Sequence, residues 1–175
     1  SADSRQVYIG MDIVTGKDLP SNLKPITSNL KWRDRKLKYY LIGGTKIWLY
    51  DVVRPDEPFN VAFWKECADL VIEDLYSRNH LPIVVGGTGL YLKSLTQSLP
   101  QISIPPNTQL RSQLRDKSVS YLFNYLNRID PARAAVLNIS DRANPRRLLR
   151  AIEISLSPSV PSPKLGEGNK RGEVL

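Results

Sequence analysis

From Pro58 to Asn79 the apolar residues Val61, Trp64, Ala68, Val71 and Leu75 recur at intervals of three and four, the spacing of one helical face. Asn60 stands just before the first of them and predicts an N-cap. The next run, Leu81 to Val85, is short and continuously apolar, the pattern of a strand covered on both faces, and it ends at Gly86-Gly87. After Thr88 the stretch LYLKSL returns to a helical pattern. Residues 58–97 therefore spell helix, buried strand, glycine turn and helix, which predicts an α/β fold with a parallel sheet. From Thr108 to Leu156 the signals change to short helices, and Asp130-Pro131 and Asn144-Pro145 each offer a cap followed by proline at the first helical position. Residues 157–175 hold Pro, Gly and Ser without an aromatic residue, which predicts a flexible tail. No repeat at a solenoid period is visible.

Composition adds little to this until charge is considered. A length of 175 residues fits one domain of ordinary size, and no apolar run is long enough to cross a bilayer, so no membrane partner is expected. Cys67 stands alone and no charged-then-apolar leader opens the chain, which places it in a reducing compartment, the cytoplasm by default. Charge is segregated: residues 21–46 hold seven Lys/Arg against Asp34 alone, residues 105–150 hold nine against three Asp, and residues 51–104 are net −3. Such polarity favours a polyanionic partner, although a basic surface with no partner has the same composition.

In open α/β sheets ligands bind beyond the carboxyl ends of the strands. Two places qualify. One is Gly86-Gly87-Thr88-Gly89, where glycines allow close approach and Thr88 offers a hydroxyl at a helix start, though such a turn is by itself more often only a turn. The other is Asp3-Ser4-Arg5-Gln6, a carboxylate, hydroxyl, guanidinium and amide in succession. No phosphate loop of the form G-x-x-x-x-G-K-[ST] is present; Gly10 to Gly16-Lys17-Asp18 has one residue too many and an acid where the hydroxyl belongs. On the predicted helix after Asn144, Leu148, Leu149, Ile152 and Leu156 share an apolar side, while Arg146, Arg147 and Arg150 crowd the first two turns against the helix dipole. Either an external phosphate relieves that crowding or the face is solvated or paired with Glu153.

These pieces together resemble the tRNA dimethylallyltransferase family, the isopentenyl-diphosphate:tRNA transferases. The resemblance is carried by SADSRQVYIGMDI at the start, PDEPFNVAFW at residues 55–64, LPIVVGGTGLYLKSL at residues 81–95 and NPRRLLRAIEI at residues 144–154, in that order. It implies an incomplete P-loop NTPase-like α/β core with a helical insertion. It also implies transfer of a dimethylallyl group from dimethylallyl diphosphate to the exocyclic amine of the adenosine 3′ of the tRNA anticodon, flipped into a channel. Asp3 matches the family's catalytic carboxylate, which as general base accepts an amine proton. Ser4, Arg5 and Gln6 match its adenine-contacting run, Thr88 a channel residue touching the acceptor RNA, and Arg111 a basic RNA contact. Arg146, Arg147, Leu148, Leu149 and Arg150 match its second RNA-contacting strip. Mg²⁺ is implied on the diphosphate, through phosphate oxygens and a P-loop hydroxyl, so no metal ligand is assigned to this chain.

The departures from the family pattern set the expected layout. The phosphate loop is absent, which removes the diphosphate cradle and a central strand. Residues 21–50 form a basic insert where the family has a short link, and resemblance stops near Ile154. The expected organisation is a partial core over residues 1–104, a helical RNA-binding part over 105–156 and the tail, in a monomer truncated at both ends. The competing readings are an inactive RNA-binding remnant and a prenyltransferase acting on free adenylate. His80 and Cys67 read as a surface and a packing residue; Trp48 and Tyr50 read as core or loop ahead of base-stacking groups.

Overall fold

Lysine alternates with apolar or aromatic residues over residues 30–32 and 36–39, and this period of two builds a sheet. The computed structural model describes residues 1–157, and the predicted tail, apart from Ser157, lies outside the described residues. After a single helical turn, α1 (Asp12–Thr15), come β1 (Ile26–Trp32), β2 (Arg35–Ile42) and β3 (Thr45–Trp48), an antiparallel sheet in the order β1-β2-β3. Lys31, Lys36, Lys38 and Lys46 are exposed, while Trp32, Leu37 and Trp48 enter the core. Gly43 and Gly44, with φ of 54° and 81°, supply the left-handed pair that a two-residue hairpin between β2 and β3 requires. The basic insert is thus an ordered meander in which Lys31, Lys36 and Lys38 share one face while Lys46 reaches over Tyr39 on the other, and Trp48 is a core residue.

The helix α2 (Val61–Ser77) forms as the spacing predicts, capped by Asn60, whose side chain accepts from the N–H of Ala62 and of Phe63. Its buried face, Trp64, Cys67, Ala68 and Val71, packs with Trp32, Leu37 and Trp48. Trp32 Nε1 donates to Glu66 Oε2 at 2.7 Å, which fixes helix against sheet. Burial pushes the Cys67 thiol up to about 12, so it is an inert packing group, as read from the sequence. Then α3 (Gly89–Thr96) presents Tyr91, stacked on Trp64 at 4.4 Å between ring centres.

The strand expected at Leu81–Val85 does not form. Leu81, Ile83 and Val85 are 81%, 80% and 67% exposed, and the run is extended coil in which the Val85 carbonyl accepts from Ala2 N–H at 2.7 Å. An apolar run becomes a buried strand only where neighbours take its amides and cover its faces, and among the described residues none does so here. The described sheet is antiparallel, and among the described residues parallel pairing is limited to a bridge between Tyr8 and Val53.

The chain divides into two compact units, Ser1–Leu99 and Pro100 onward. The second is helical: α4 (Thr108–Leu114), α5 (Val119–Ile129), α6 (Pro131–Val136), α7 (Ile139–Arg142) and α8 (Pro145–Ser155). Its core is Leu114, Leu122, Leu126, Ala134, Leu148, Ala151 and Ile152, and each buried leucine or isoleucine contributes about 1.5–3 kcal/mol. Both predicted Pro-led starts hold: Asp130 Oδ1 accepts from Arg133 N–H, and Asn144 Oδ1 from the N–H of Arg146 and Arg147. Leu156, expected on the apolar side of the last helix, is 49% exposed because the helix ends at Ser155.

Candidate functional site

Asp3, Ser4, Arg5 and Gln6 form a tight turn that Asp3 itself organises. Asp3 Oδ1 accepts from Arg5 N–H at 2.8 Å, the short-range bond by which an Asp side chain imitates a backbone turn. Its other oxygen, Oδ2, takes no hydrogen bond among the described residues, and the side chain is 17% exposed. The carboxylate is therefore held by one oxygen and open at the other. Arg5 projects outward, 74% exposed. Gln6 is anchored at both ends of its amide: Oε1 accepts from Ser1 Oγ at 2.9 Å and Nε2 donates to the Gly16 carbonyl at 3.1 Å.

Thr88, 84 residues away in sequence, closes on this turn. Its Oγ1 accepts from Ser4 N–H at 2.9 Å and donates to Ser4 Oγ at 3.2 Å, and its own N–H donates to the Ala2 carbonyl at 3.1 Å. Gly86 makes the approach possible: a Cβ built on it would stand 2.4 Å from both the Ala2 carbonyl carbon and oxygen. The glycine turn is accordingly more than a turn. Gly86→Ala is expected to cost about 1–3 kcal/mol in urea unfolding and to speed hydrogen exchange at the Ala2 amide, because backbone must move to admit the methyl. An unchanged exchange rate would show that the contact is loose.

Asp3 and Gln6 lie on the wall of a cleft of about 780 Å³ in the same unit, with Trp48, Tyr50, Val71 and Gly86 also on its wall. The size suits a small ligand or a single base. Trp48 is 7% exposed, and its buried indole N–H finds no acceptor among the described residues. Burial, and after it the charge of Asp3, holds the Tyr50 phenol above its ordinary value, so it stays a neutral donor beside the carboxylate. His80, also on the wall, is exposed and uses its backbone N–H to close the end of α2 on the Leu75 carbonyl.

In the helical unit the predicted basic residues separate into two groups. Arg146 is exposed, and its guanidinium has no partner among the described residues. Arg147, 56% exposed, pairs with Asp141. By contrast, Arg111 and Arg150 converge on Glu153, whose side chain is 1% exposed. Arg111 grips it through both Nε (2.6 Å) and a terminal nitrogen (2.9 Å), and Arg150 adds a bond at 3.1 Å while donating to the Gln101 and Ile104 carbonyls. Leu148 is fully buried and Leu149 half-buried, so the Leu148 side chain is withdrawn from any surface strip. Sequence reading missed Glu153 as the hub, because Arg111 lies 42 residues away from it. It also missed Lys17 and Asp51, which pair in the interior beside the Asp3–Gln6 turn.

A model of the IPP transferase family matches residues 6–171. The chain is 39% identical over 157 residues to tRNA dimethylallyltransferase 1 of Syntrophus aciditrophicus, covering 89% of this chain and 45% of that protein. It is 34% identical over 173 residues to the tRNA dimethylallyltransferase of Geobacter sulfurreducens, covering 97% and 49%. Among solved structures, the tRNA isopentenylpyrophosphate transferase of Bacillus halodurans aligns over 90% of this chain and 46% of its own, at 31% identity and a TM-score of 0.45. The chain spans about half the length of the curated relatives it matches.

Proposed function

Because this chain belongs to the IPP transferase family, we propose that it carries the acceptor side of a prenyl transfer to the exocyclic amine of an adenosine in the anticodon loop of tRNA. The observation that carries the reading is the Asp3 carboxylate, pinned at Oδ1, open at Oδ2 and set on the cleft wall beside the Ser4–Thr88 contact. The amine nitrogen attacks the first carbon of the dimethylallyl group, and the carbon–oxygen bond to the diphosphate breaks with its electron pair leaving on oxygen. The Asp3 carboxylate takes the proton that the nitrogen gives up. Ser4, Arg5 and Gln6 orient the base, and Thr88 holds Ser4.

Mg²⁺ would serve the diphosphate by neutralising its charge. No group of three or more His, Cys, Asp or Glu that could hold a metal occurs among the described residues. The polynucleotide is attracted by the exposed lysines of the sheet and by Arg146 and Arg147, with the outward half of Arg111 adding to them. The P-loop-like parallel sheet belongs to this same reading and is supported by the Tyr8–Val53 bridge. So do a monomeric state and the cytoplasm; no described helix is long and apolar enough to cross a membrane.

The test is an acceptor comparison with the native protein that contains this sequence, given dimethylallyl diphosphate and Mg²⁺. Prenyl label is expected on an anticodon stem-loop with adenosine at the target position, and not on AMP. Preferential labelling of AMP would overturn the RNA reading in favour of the adenylate one. Salt-sensitive tRNA binding with no product would instead favour the inactive remnant.

A further inference from the structure

The failed phosphate-loop motif leaves Lys17 without a role, yet the structure encloses it. Its side chain is fully buried, and its ammonium donates to the Tyr8 carbonyl at 2.6 Å, to Asp12 Oδ1 at 2.8 Å and to Asp51 Oδ1. Asp51 is 9% exposed at its side chain and takes the Tyr40 hydroxyl on its second oxygen. Burial, the bond to Asp51 and its charge together hold the Tyr40 phenol well above its ordinary value, so it remains a donor. Every donor and acceptor at the centre of this cluster is matched.

What the cluster holds is the Asp3–Gln6 turn. On one side the Asp51 N–H donates to the Gln6 carbonyl at 3.2 Å, and Val52 N–H to the Val7 carbonyl at 2.7 Å. On the other, the Gln6 side chain donates to the Gly16 carbonyl at 3.1 Å. Lys17 follows Gly16 directly and ion-pairs with Asp51, so the pair ties together the two strips that grip the turn. It also holds the Tyr8 carbonyl, two residues beyond Gln6. Apolar residues of similar size often stabilise a fold as well as a buried ion pair does, whereas directed bonds fix a geometry.

We propose that Lys17 is a positioning residue for the acceptor base: through Asp51 it sets the depth and orientation of the Asp3–Gln6 turn, and with it the line from the Asp3 carboxylate to the amine. This rests on the acceptor reading above. A shift of about an ångström at a reacting group lowers turnover by about 100-fold, whereas RNA affinity comes from basic residues outside this cluster.

The experiment compares the native protein with Lys17→Met and with Lys17→Met/Asp51→Asn, the second removing the buried carboxylate charge that the first leaves unpaired. In Lys17→Met, kcat is expected to fall about 100-fold while KM for tRNA moves less than about threefold. In the double variant the thermal midpoint should return towards the native value while kcat does not. Recovery of kcat together with the midpoint, or a kcat within about threefold of native in either variant, would make Lys17 merely structural and overturn the proposal. Hydrogen exchange at the Arg5 amide reads the same clamp without turnover: it should quicken in the double variant at an unchanged midpoint, and unchanged exchange counts against the clamp. A native protein that makes no prenylated adenosine sinks the acceptor reading alone, and the exchange result then still decides the clamp.

Discussion

Glu153→Gln is expected to lower the stability of the helical unit by about 3 kcal/mol, because it breaks a buried charge cluster from its centre. The carboxylate accepts four bonds: Asn107 N–H and Arg111 Nε at Oε1, and a second Arg111 nitrogen and Arg150 at Oε2. Glutamine keeps the shape but turns one oxygen into a donor facing guanidinium donors, and it removes the charge they neutralise. The figure stays at the lower end for buried pairs because Arg111 is 47% exposed and water can rescue it. Burial alone would raise the Glu153 pKa, but the bonds from Arg111, Arg150 and the Asn107 amide outweigh it and hold the group below its ordinary value. A depressed folded pKa contributes stability that is complete above the unfolded value, near about 4.3, and that is lost as pH falls through the lower folded value. Urea unfolding of native protein and variant at neutral pH and down through the carboxylate range checks both parts: the difference between them should be largest at neutral pH and shrink in acid. Equal stability at neutral pH would show the cluster to be ornamental.

Asp3→Asn is expected to lower kcat by about 10²–10⁴ with tRNA binding nearly unchanged. Asparagine keeps an oxygen that can accept from the Arg5 amide, so the turn survives, as do the Ser4–Thr88 contact and the exposed Arg5. What disappears is the negative charge at the open position, the proton acceptor of the proposed transfer. The distinction lies in which constant moves, because a variant that spoiled the turn would change the acceptor KM as well. Steady-state kinetics with the stem-loop acceptor, paired with a binding isotherm, separates them.

How much of this was legible in the sequence depended on whether the signal was local. The helix from Val61 and the starts at Asp130 and Asn144 were readable because a three-to-four period, an Asn or Asp cap and a following proline act within one or two turns. The antiparallel meander is hidden in the sequence because Lys31, Lys36 and Lys38 count as charge, although they are the outward half of a period-two pattern. Gly43-Gly44 between two such runs was the available hairpin signal. Leu81–Val85 misled in the opposite sense, because an apolar run states that a strand could be buried and not that neighbours are there to bury it.

The candidate site divides in the same way. Asp3, Ser4, Arg5 and Gln6 were found as a contiguous run, and Thr88 as a hydroxyl after a glycine turn, but no spacing rule places Thr88 Oγ1 on the Ser4 amide. An arginine face paired with Glu153 is weighed from the sequence, whereas the bidentate grip of Arg111 on the same carboxylate is a tertiary contact. It changes the reading of both arginines. They frame the helical unit first, which leaves Arg146 and Arg147 as the more accessible part of the basic strip.

Whether the Asp3 carboxylate meets an adenosine amine is read from the nucleosides of the acceptor. Anticodon stem-loop RNA incubated with dimethylallyl diphosphate, Mg²⁺ and either native protein or Asp3→Asn is digested and analysed by mass spectrometry. One prenylated adenosine, from the position 3′ of the anticodon, is expected with native protein and almost none with the variant over the same time. Full prenylation by Asp3→Asn, or label on a different nucleoside, would contradict it.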